Sequence, residues 1–321
     1  MAFTVFREMK PFSQLIFSAF VILLCFLLFM AISLIVAMPV FGIESVINIP
    51  SLTDFNDPDS IRMLKYFQVV QSFGLFIVPS IILGWSFHGN FIKYLHLDKT
   101  IIFSSVFIVI VLMISASPLI NFMGELNAQM ELPRWMEVVE RWMKATEENA
   151  AKLTKAFLDV KTPAGLFFNL FMIAVLPALG EEFLFRGVIQ RIFTKITRNI
   201  HWGILISAVL FSALHMQFYG FVPRMLLGVM FGYLLIWSGS LWIPIIAHFI
   251  NNGVVVVVMY YINQNKLSPA IEEIGSTADS YYLAAISLVF VVVLLIVFKI
   301  QNGGNSLTLQ NNISPKTRLY R

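Results

Sequence analysis

The chain has little charge and almost no cysteine. Only 12% of its 321 residues are Asp, Glu, Lys or Arg. Soluble domains carry about twice that fraction, so a water-soluble globular domain is excluded. Cys25 is the single cysteine, so no intrachain disulfide is possible and cysteine usage says nothing about redox compartment. Internal repeats and low-complexity linkers are also missing. Apolar residues fill the chain instead, at 58%. The length suits one all-α, polytopic membrane bundle.

Charge-free windows of about twenty apolar residues mark membrane spans. Eight are expected, near 14–40, 66–87, 100–123, 163–190, 200–218, 222–238, 241–261 and 281–299. The last long apolar stretch is divided at Ser238-Gly239-Ser240, a turn signal. The first run, Leu15 to Pro39, is too long for a signal-peptide core and lacks a clear small-residue cleavage site, so it reads as a retained span.

Basic residues sort to one side. Arg7 and Lys10, Lys93 and Lys99, the group Arg191, Lys195 and Arg198, and the tail residues Lys299, Lys316, Arg318 and Arg321 all fall there if eight spans are crossed. Glu44, Asp54, Asp57 and Asp59 lie opposite, as do Glu272, Glu273 and Asp279. The positive-inside rule then places both termini in the cytoplasm of a cell inner or plasma membrane protein. Three parts are expected: 1–162, three spans plus an amphipathic extramembrane helix; 163–300, a catalytic core; and 301–321, a flexible tail. Within the loop from Gly124 to Lys161, Trp135, Val139 and Trp142 recur at helical spacing. This suits a helix at the interface, either a solvated hairpin with a tryptophan anchor or a lid over a substrate entrance.

Ionisable groups inside spans cost roughly 2.5–3.5 kcal/mol each on the mild insertion scale and mark functional sites. Glu181 and Glu182 are adjacent within the fourth span, and Arg186 follows one turn after Glu182. One carboxylate can be paired with that arginine while the other stays available. Two such close groups in low dielectric do not ionise equally, which is one route to a base poised near neutrality. The plainer alternative is an interfacial Glu182–Arg186 ion pair. His215 closes Phe211-Ser212-Ala213-Leu214-His215 and, taken alone, reads as a satisfied polar group or an interfacial anchor at a span end. His248 and Asn252 lie one turn apart on one face, where they can hold a developing oxyanion or serve as an interhelical hydrogen-bond pair. Asn251 points elsewhere on the helix and reads as a packing or capping group. Counted from the basic end at 1.5 Å per residue, Glu181 lies about 13 Å deep, His248 about 12 Å and His215 about 20 Å. The three meet near mid-membrane only if the fifth helix tilts. Gly228 and Gly232 form a small-residue face suited to close helix approach.

The ordered set Glu-Glu-x-x-x-Arg, Phe-x-x-x-His and His-x-x-x-Asn, each on its own apolar segment, resembles the CAAX-protease and bacteriocin-processing (CPBP, or Abi) intramembrane proteases, which include the Ras-converting CAAX endopeptidases. Gly239-Ser240-Leu241-Trp242-Ile243-Pro244, just before His248, resembles the family's lead-in, and the likeness spans Pro177 to Asn252. The resemblance implies an intramembrane endopeptidase acting near the cytoplasmic face, in CAAX-type processing or in bacteriocin maturation or immunity. It implies that Glu181 activates water and His215 helps to hold it. It also implies that His248 and Asn252 stabilise the oxyanion, while Glu182 and Arg186 fix the geometry and Phe211 packs beneath. No cofactor is expected; a zinc-dependent version is the alternative, since two histidines and a carboxylate suit zinc, although His-Glu-x-x-His is missing. The expected partners are the lipid bilayer and a membrane-associated peptide or protein, with no nucleic acid. A proton-coupled transporter and a non-catalytic scaffold are the competing readings. The first wants paired broken helices, which the sequence lacks; the second fits poorly with a complete motif set.

Overall fold

The computed structural model describes residues 4–47, 55 and 57–313. Asp54 of the first loop and Lys316, Arg318 and Arg321 of the tail lie outside the described residues. Among those described, all regular structure is helical. The main elements are α1 (Pro11–Phe41), α2 (Pro58–His88), α3 (Phe103–Ala128), α4 (Glu137–Leu158), α5 (Pro163–Thr197), α6 (Ile200–Ala213), α7 (Phe221–Ser238), α8 (Trp242–Asn263) and α9 (Tyr281–Ile313). The last helix runs through residues 301–313, which were expected to be loose tail.

Seven of these helices are long and apolar enough to cross a membrane; α4 is polar and α6 is short. This is an integral membrane protein with the expected all-α polytopic fold. α1 shows its inside-out logic: Leu23, Leu27 and Ile35 face outward while Ser18, Ser33 and Ala37 are buried, because lipid takes the large apolar groups and helix contacts favour small ones. At 14 residues, α6 falls short of the window expected for the fifth span. It rises about 21 Å, against a hydrocarbon core of about 30 Å. The chain then turns, with Met216 at φ 53°. His215 thus occupies the turn after a short helix, and the expected tilted full span is not needed to bring it inward.

The ends of α2 follow from local chemistry. The Asp57 carboxylate accepts from the Ser60 N–H, and Pro58 occupies the first turn, where no donor is lost. Gly89, at φ 79°, closes the helix by donating its N–H to the Trp85 carbonyl. Four helices also carry prolines in their interiors, Pro39 in α1 and Pro118 in α3 among them. Pro79 in α2 and Pro177 in α5 each follow a wider π turn, Ser72–Ile77 and Leu170–Val175. A proline lacks the N–H that would reach the carbonyl four residues back and would collide with it; the π turn relieves that conflict.

α5 is the axis of the bundle, buried without interruption from Gly180 to Gln190. Around it α6 and α7 approach closely, as the Gly228 and Gly232 spacing predicts. A Cβ on Gly228 would stand 3.0 Å from the Ala208 Cβ, and one on Gly232 2.7 Å from Ile204 Cγ2. At one end of the bundle, α4 is fastened by its C-terminus. The Phe157 carbonyl accepts from Lys65 Nζ (3.0 Å) and Asn169 Nδ2 (2.7 Å), and the Leu158 carbonyl from Asn263 Nδ2 (2.8 Å). The short turn before α4 is open, with Trp135 82% exposed, and Trp142 in the first half of α4 rests against Phe218 at a ring separation of 5.2 Å. At the opposite end lie the basic connections.

Candidate active site

Two helices, α5 and α8, and the turn after α6 supply the polar cluster. α5 contributes Glu181 and Glu182, between the Pro177 break and a second π turn, Phe183–Ile189, and Arg186 from within that turn. Glu182 is fully buried and held from two directions: Arg186 Nη1 donates to its Oε1 at 2.9 Å, and His248 Nδ1 meets the same oxygen at 2.8 Å. Its Oε2 is buried with no hydrogen-bond partner. Arg186 is 1% exposed and completes its shell by donating from Nη2 to the Gly228 carbonyl at 3.1 Å. Its guanidinium also lies over the rings of Phe211 (4.6 Å) and Phe231 (5.3 Å). The cation is therefore satisfied by a carboxylate, a carbonyl and two π faces, which is what a buried arginine requires.

Glu181 has a different surrounding. Its side chain keeps 12% exposure, and Oε2 faces His248 Nε2 at 3.8 Å. The His248 ring thus stands between the two carboxylates, stacked on Phe231 at 5.4 Å with 25° between the planes and edge-on to Phe211. His215 is fixed by Nδ1 against the Phe211 carbonyl at 2.8 Å and by an edge contact with the Phe211 ring. Phe211 therefore touches both imidazoles and the guanidinium. Since Nδ1 of His215 is the atom against a carbonyl acceptor, Nε2 is left as its second polar position.

Glu181, His215, His248 and Asn252 all line one cavity of about 520 Å³. The four sequence candidates are thus brought together, and the carboxylate of Glu181 is not walled off from the imidazoles. Asn252 also serves the backbone, because its Nδ2 donates to the Ile173 carbonyl at 3.0 Å. That carbonyl lies four residues before Pro177, where the helix has no N–H to offer. Asn251, expected to point away, instead lines the cavity and donates to Asn252 Oδ1 at 3.0 Å; the turn of α8 here directs both amides inward.

Sequence reasoning missed Arg224, Gln217, Phe231 and Gln68, all on the cavity wall. Arg224 Nη2 donates to Gln217 Oε1 at 2.6 Å across the α6–α7 turn. An arginine one turn into an apolar span is a legible signal, by the same cost that singles out Glu181. The donors do not form a metal set: among the described residues no group of three or more His, Cys, Asp or Glu is arranged to hold an ion. Both His248 nitrogens address carboxylates instead.

The cavity extends towards α4. Leu153, Thr154 and Phe157 of α4, Ile120 near the end of α3, and the 217–224 turn all line it. This is the end opposite the basic connections. The two expectations, a site acting near the cytoplasmic face and termini in the cytoplasm, cannot both hold in this fold. The expected depth of about 13 Å takes α5 to end at Gln190. The helix continues to Thr197, so Glu181 lies sixteen residues, about 24 Å, from the basic end.

A buried carboxylate pair with an arginine, two imidazoles and an amide at the wall of one cavity makes a polar cluster inside a membrane bundle. Comparison with known proteins gives it a family likeness. Residues 163–254 match the family model described as Type II CAAX prenyl endopeptidase Rce1-like. The chain is 32% identical over 119 residues to the membrane-embedded CAAX protease MroQ of Staphylococcus aureus, covering 35% of this chain and 46% of that protein. It is 30% identical over 90 residues to the uncharacterized protein YpbD of Bacillus subtilis (27% and 43%), and 33% identical over 100 residues to an uncharacterized 24.3 kDa protein of Escherichia coli (30% and 46%). The matches span less than half the length of each relative. No solved structure matches the chain. The resemblance read from the motifs is therefore also found by comparison, over the stretch that carries all three.

Proposed function

We propose that this chain is an intramembrane endopeptidase that hydrolyses a peptide bond of a membrane-associated protein or peptide. The observation that carries the reading is the unequal treatment of two adjacent carboxylates. Glu182 is consumed by Arg186 and His248, whereas Glu181 keeps access to the cavity. Glu181 is the base. It takes a proton from water as the water oxygen attacks the scissile carbonyl carbon, and it returns that proton to the leaving nitrogen as the C–N bond breaks. The 3.8 Å between Glu181 Oε2 and His248 Nε2 is too long for a direct hydrogen bond, which leaves the carboxylate available to a water in the cavity. His248 Nε2, together with the second amide proton of Asn252, holds the tetrahedral oxyanion. His215 Nε2 helps to orient the water. Glu182 and Arg186 hold His248 in place, so their part is positioning.

The reaction as proposed uses no metal, in keeping with a donor set that points its nitrogens at carboxylates. Charge bias favours termini in the cytoplasm, so the cavity receives substrate from the opposite face. The family model and the name of the Staphylococcus aureus relative support peptide hydrolysis. The test compares membrane-associated peptides in cells carrying the wild-type chain and the Glu181→Gln chain. A peptide processed only with the wild type, by a purified enzyme indifferent to chelators, is the expected result. Unchanged processing by folded Glu181→Gln rejects Glu181 as the base, and loss on chelation restored by zinc rejects the metal-free step.

A further inference from the structure

The basic end of the bundle holds a second cavity, of about 420 Å³, which the reaction site does not use. Lys93, Lys99, Arg191 and Lys195 line it, and Asp98 is its one carboxylate. Two of its lining groups are buried and have no acceptor for their proton: the Tyr94 hydroxyl, which Arg191 approaches only as a donor, and His96 Nδ1. The state of His96 follows from its neighbour. The Arg191 guanidinium contacts His96 Nε2 and the Tyr94 carbonyl. A guanidinium only donates, so Nε2 accepts and the imidazole proton sits on Nδ1. Burial, with Arg191, Lys99 and His88 nearby, pushes this imidazole down to about 3, so it is neutral at physiological pH. The wall therefore offers an N–H and an O–H without acceptors, under an excess of fixed positive charge.

The wall is preformed. The Leu241 N–H donates to the His96 carbonyl (3.3 Å), Ser240 Oγ to the Lys99 carbonyl (3.3 Å), and Trp242 Nε1 to the Leu97 carbonyl (3.0 Å). These bonds tie the 89–102 connection to the α7–α8 turn. Lys93 and Lys99 are exposed, whereas Arg191 lies deeper over the Tyr94 ring at 4.6 Å. Exposed cations at the rim with donors at the floor form an arrangement complementary to a compact oxyanion with several acceptor oxygens. The cavity also sits where the helices emerge, at the depth of lipid headgroups.

We propose that this second cavity binds a phosphate group, recognised by Lys93, Lys99 and Arg191 together with the unpartnered donors of Tyr94 and His96. The group is carried either by an anionic phospholipid at the membrane surface or by a soluble phosphate. The test uses the full chain purified in a maltoside detergent and follows its thermal unfolding midpoint. One arm titrates inorganic phosphate, with sodium chloride holding ionic strength constant. The other adds mixed micelles of phosphatidylglycerol, with phosphatidylcholine as the reference. A saturable rise with phosphate alone assigns a soluble ligand; a rise only with phosphatidylglycerol assigns a headgroup. The double variant Lys93→Gln/Lys99→Gln is expected to weaken half-saturation roughly tenfold or more, as loss of charge-assisted hydrogen bonds does. Tyr94→Phe, which keeps the ring and removes only the hydroxyl, is expected to weaken it as well, and it serves alone if the double variant does not fold. No rise with either probe, or identical titrations for wild type and Tyr94→Phe, overturns the proposal.

Discussion

Replacing Arg186 by alanine is the most severe test of how the cluster is held. The guanidinium is 1% exposed and its partner Glu182 is fully buried, so water cannot take over the lost contacts. Breaking a buried pair by removing one partner costs about 3–5 kcal/mol, most of it from the charge left behind. Here Glu182 Oε1 would keep only His248, while Oε2 already lacks a partner. The Gly228 carbonyl would lose its side-chain donor, and the rings of Phe211 and Phe231 would lose the cation they face. A loss of about 4 kcal/mol is expected for Arg186→Ala. If the residual carboxylate is the cause, neutralising it helps: Glu182→Gln/Arg186→Ala is expected to be more stable than Arg186→Ala by about 2 kcal/mol. Reversible unfolding in mixed dodecyl sulfate and maltoside micelles, followed by circular dichroism, measures both. A loss below about 1 kcal/mol for the single variant, or a double variant no better than it, would refute the buried-charge reasoning.

The remaining expectations concern the helix contacts, the acid limb of stability and the sidedness of the cavity. A Cβ on Gly203 would lie 2.0 Å from Thr194 Oγ1 and 2.9 Å from the Gln190 carbonyl; Gly203→Ala should therefore lose about 1–3 kcal/mol by overpacking, measured in the same unfolding assay, while Gly124→Ala, whose Cβ meets nothing within 4 Å, should not. His96 stays neutral in the folded chain down to about 3, whereas an unfolded histidine takes up its proton near about 6.5. The unfolded state binds more protons across that window, so stability should fall as pH drops from about 6.5 towards 3, and His96→Asn should flatten the fall. Thr154 is exposed and lines the cavity. In a Cys25→Ser background, Thr154→Cys should react with a membrane-impermeant maleimide added to intact cells, and labelling only after permeabilisation would place the cavity on the cytoplasmic side.

Much of this protein is legible in its sequence because hydropathy and charge are local properties. The long apolar windows form helices, and the costly ions Glu181, Glu182 and Arg186 come together at the bundle axis with His248 from another span. Three things are not legible. The length of α6 is hidden because Leu214 continues its apolar run, and only the turn at Met216, with φ 53°, shows where the helix stops. Arg224 is legible as a costly ion in a span, but its pairing with Gln217 at the cavity is not, because that requires knowing that the turn folds back under α4. The direction of the cavity depends on how far α5 continues past Gln190, and Arg191 and Lys195 in its last turns read as loop from sequence.

Asn252 shows why motif residues resist assignment to one role. Pro177 cannot donate to the carbonyl of Ile173, and a bare carbonyl in a membrane interior is costly. The amide of Asn252 supplies that donor at 3.0 Å. This bond joins α8 to the broken turn of α5 just ahead of Glu181, so it helps to set where the glutamate pair sits relative to His248. The proline, the π turn before it and the distant asparagine are therefore one device: a break in α5 that opens the backbone beside the carboxylates, closed from another helix by an amide. A helix without Pro177 would need no such donor, and Asn252 would then be a polar group with no backbone reason to face inward. The spacing His-x-x-x-Asn thus records two requirements at once, an imidazole at the carboxylates and an amide at the freed carbonyl one turn further along α8.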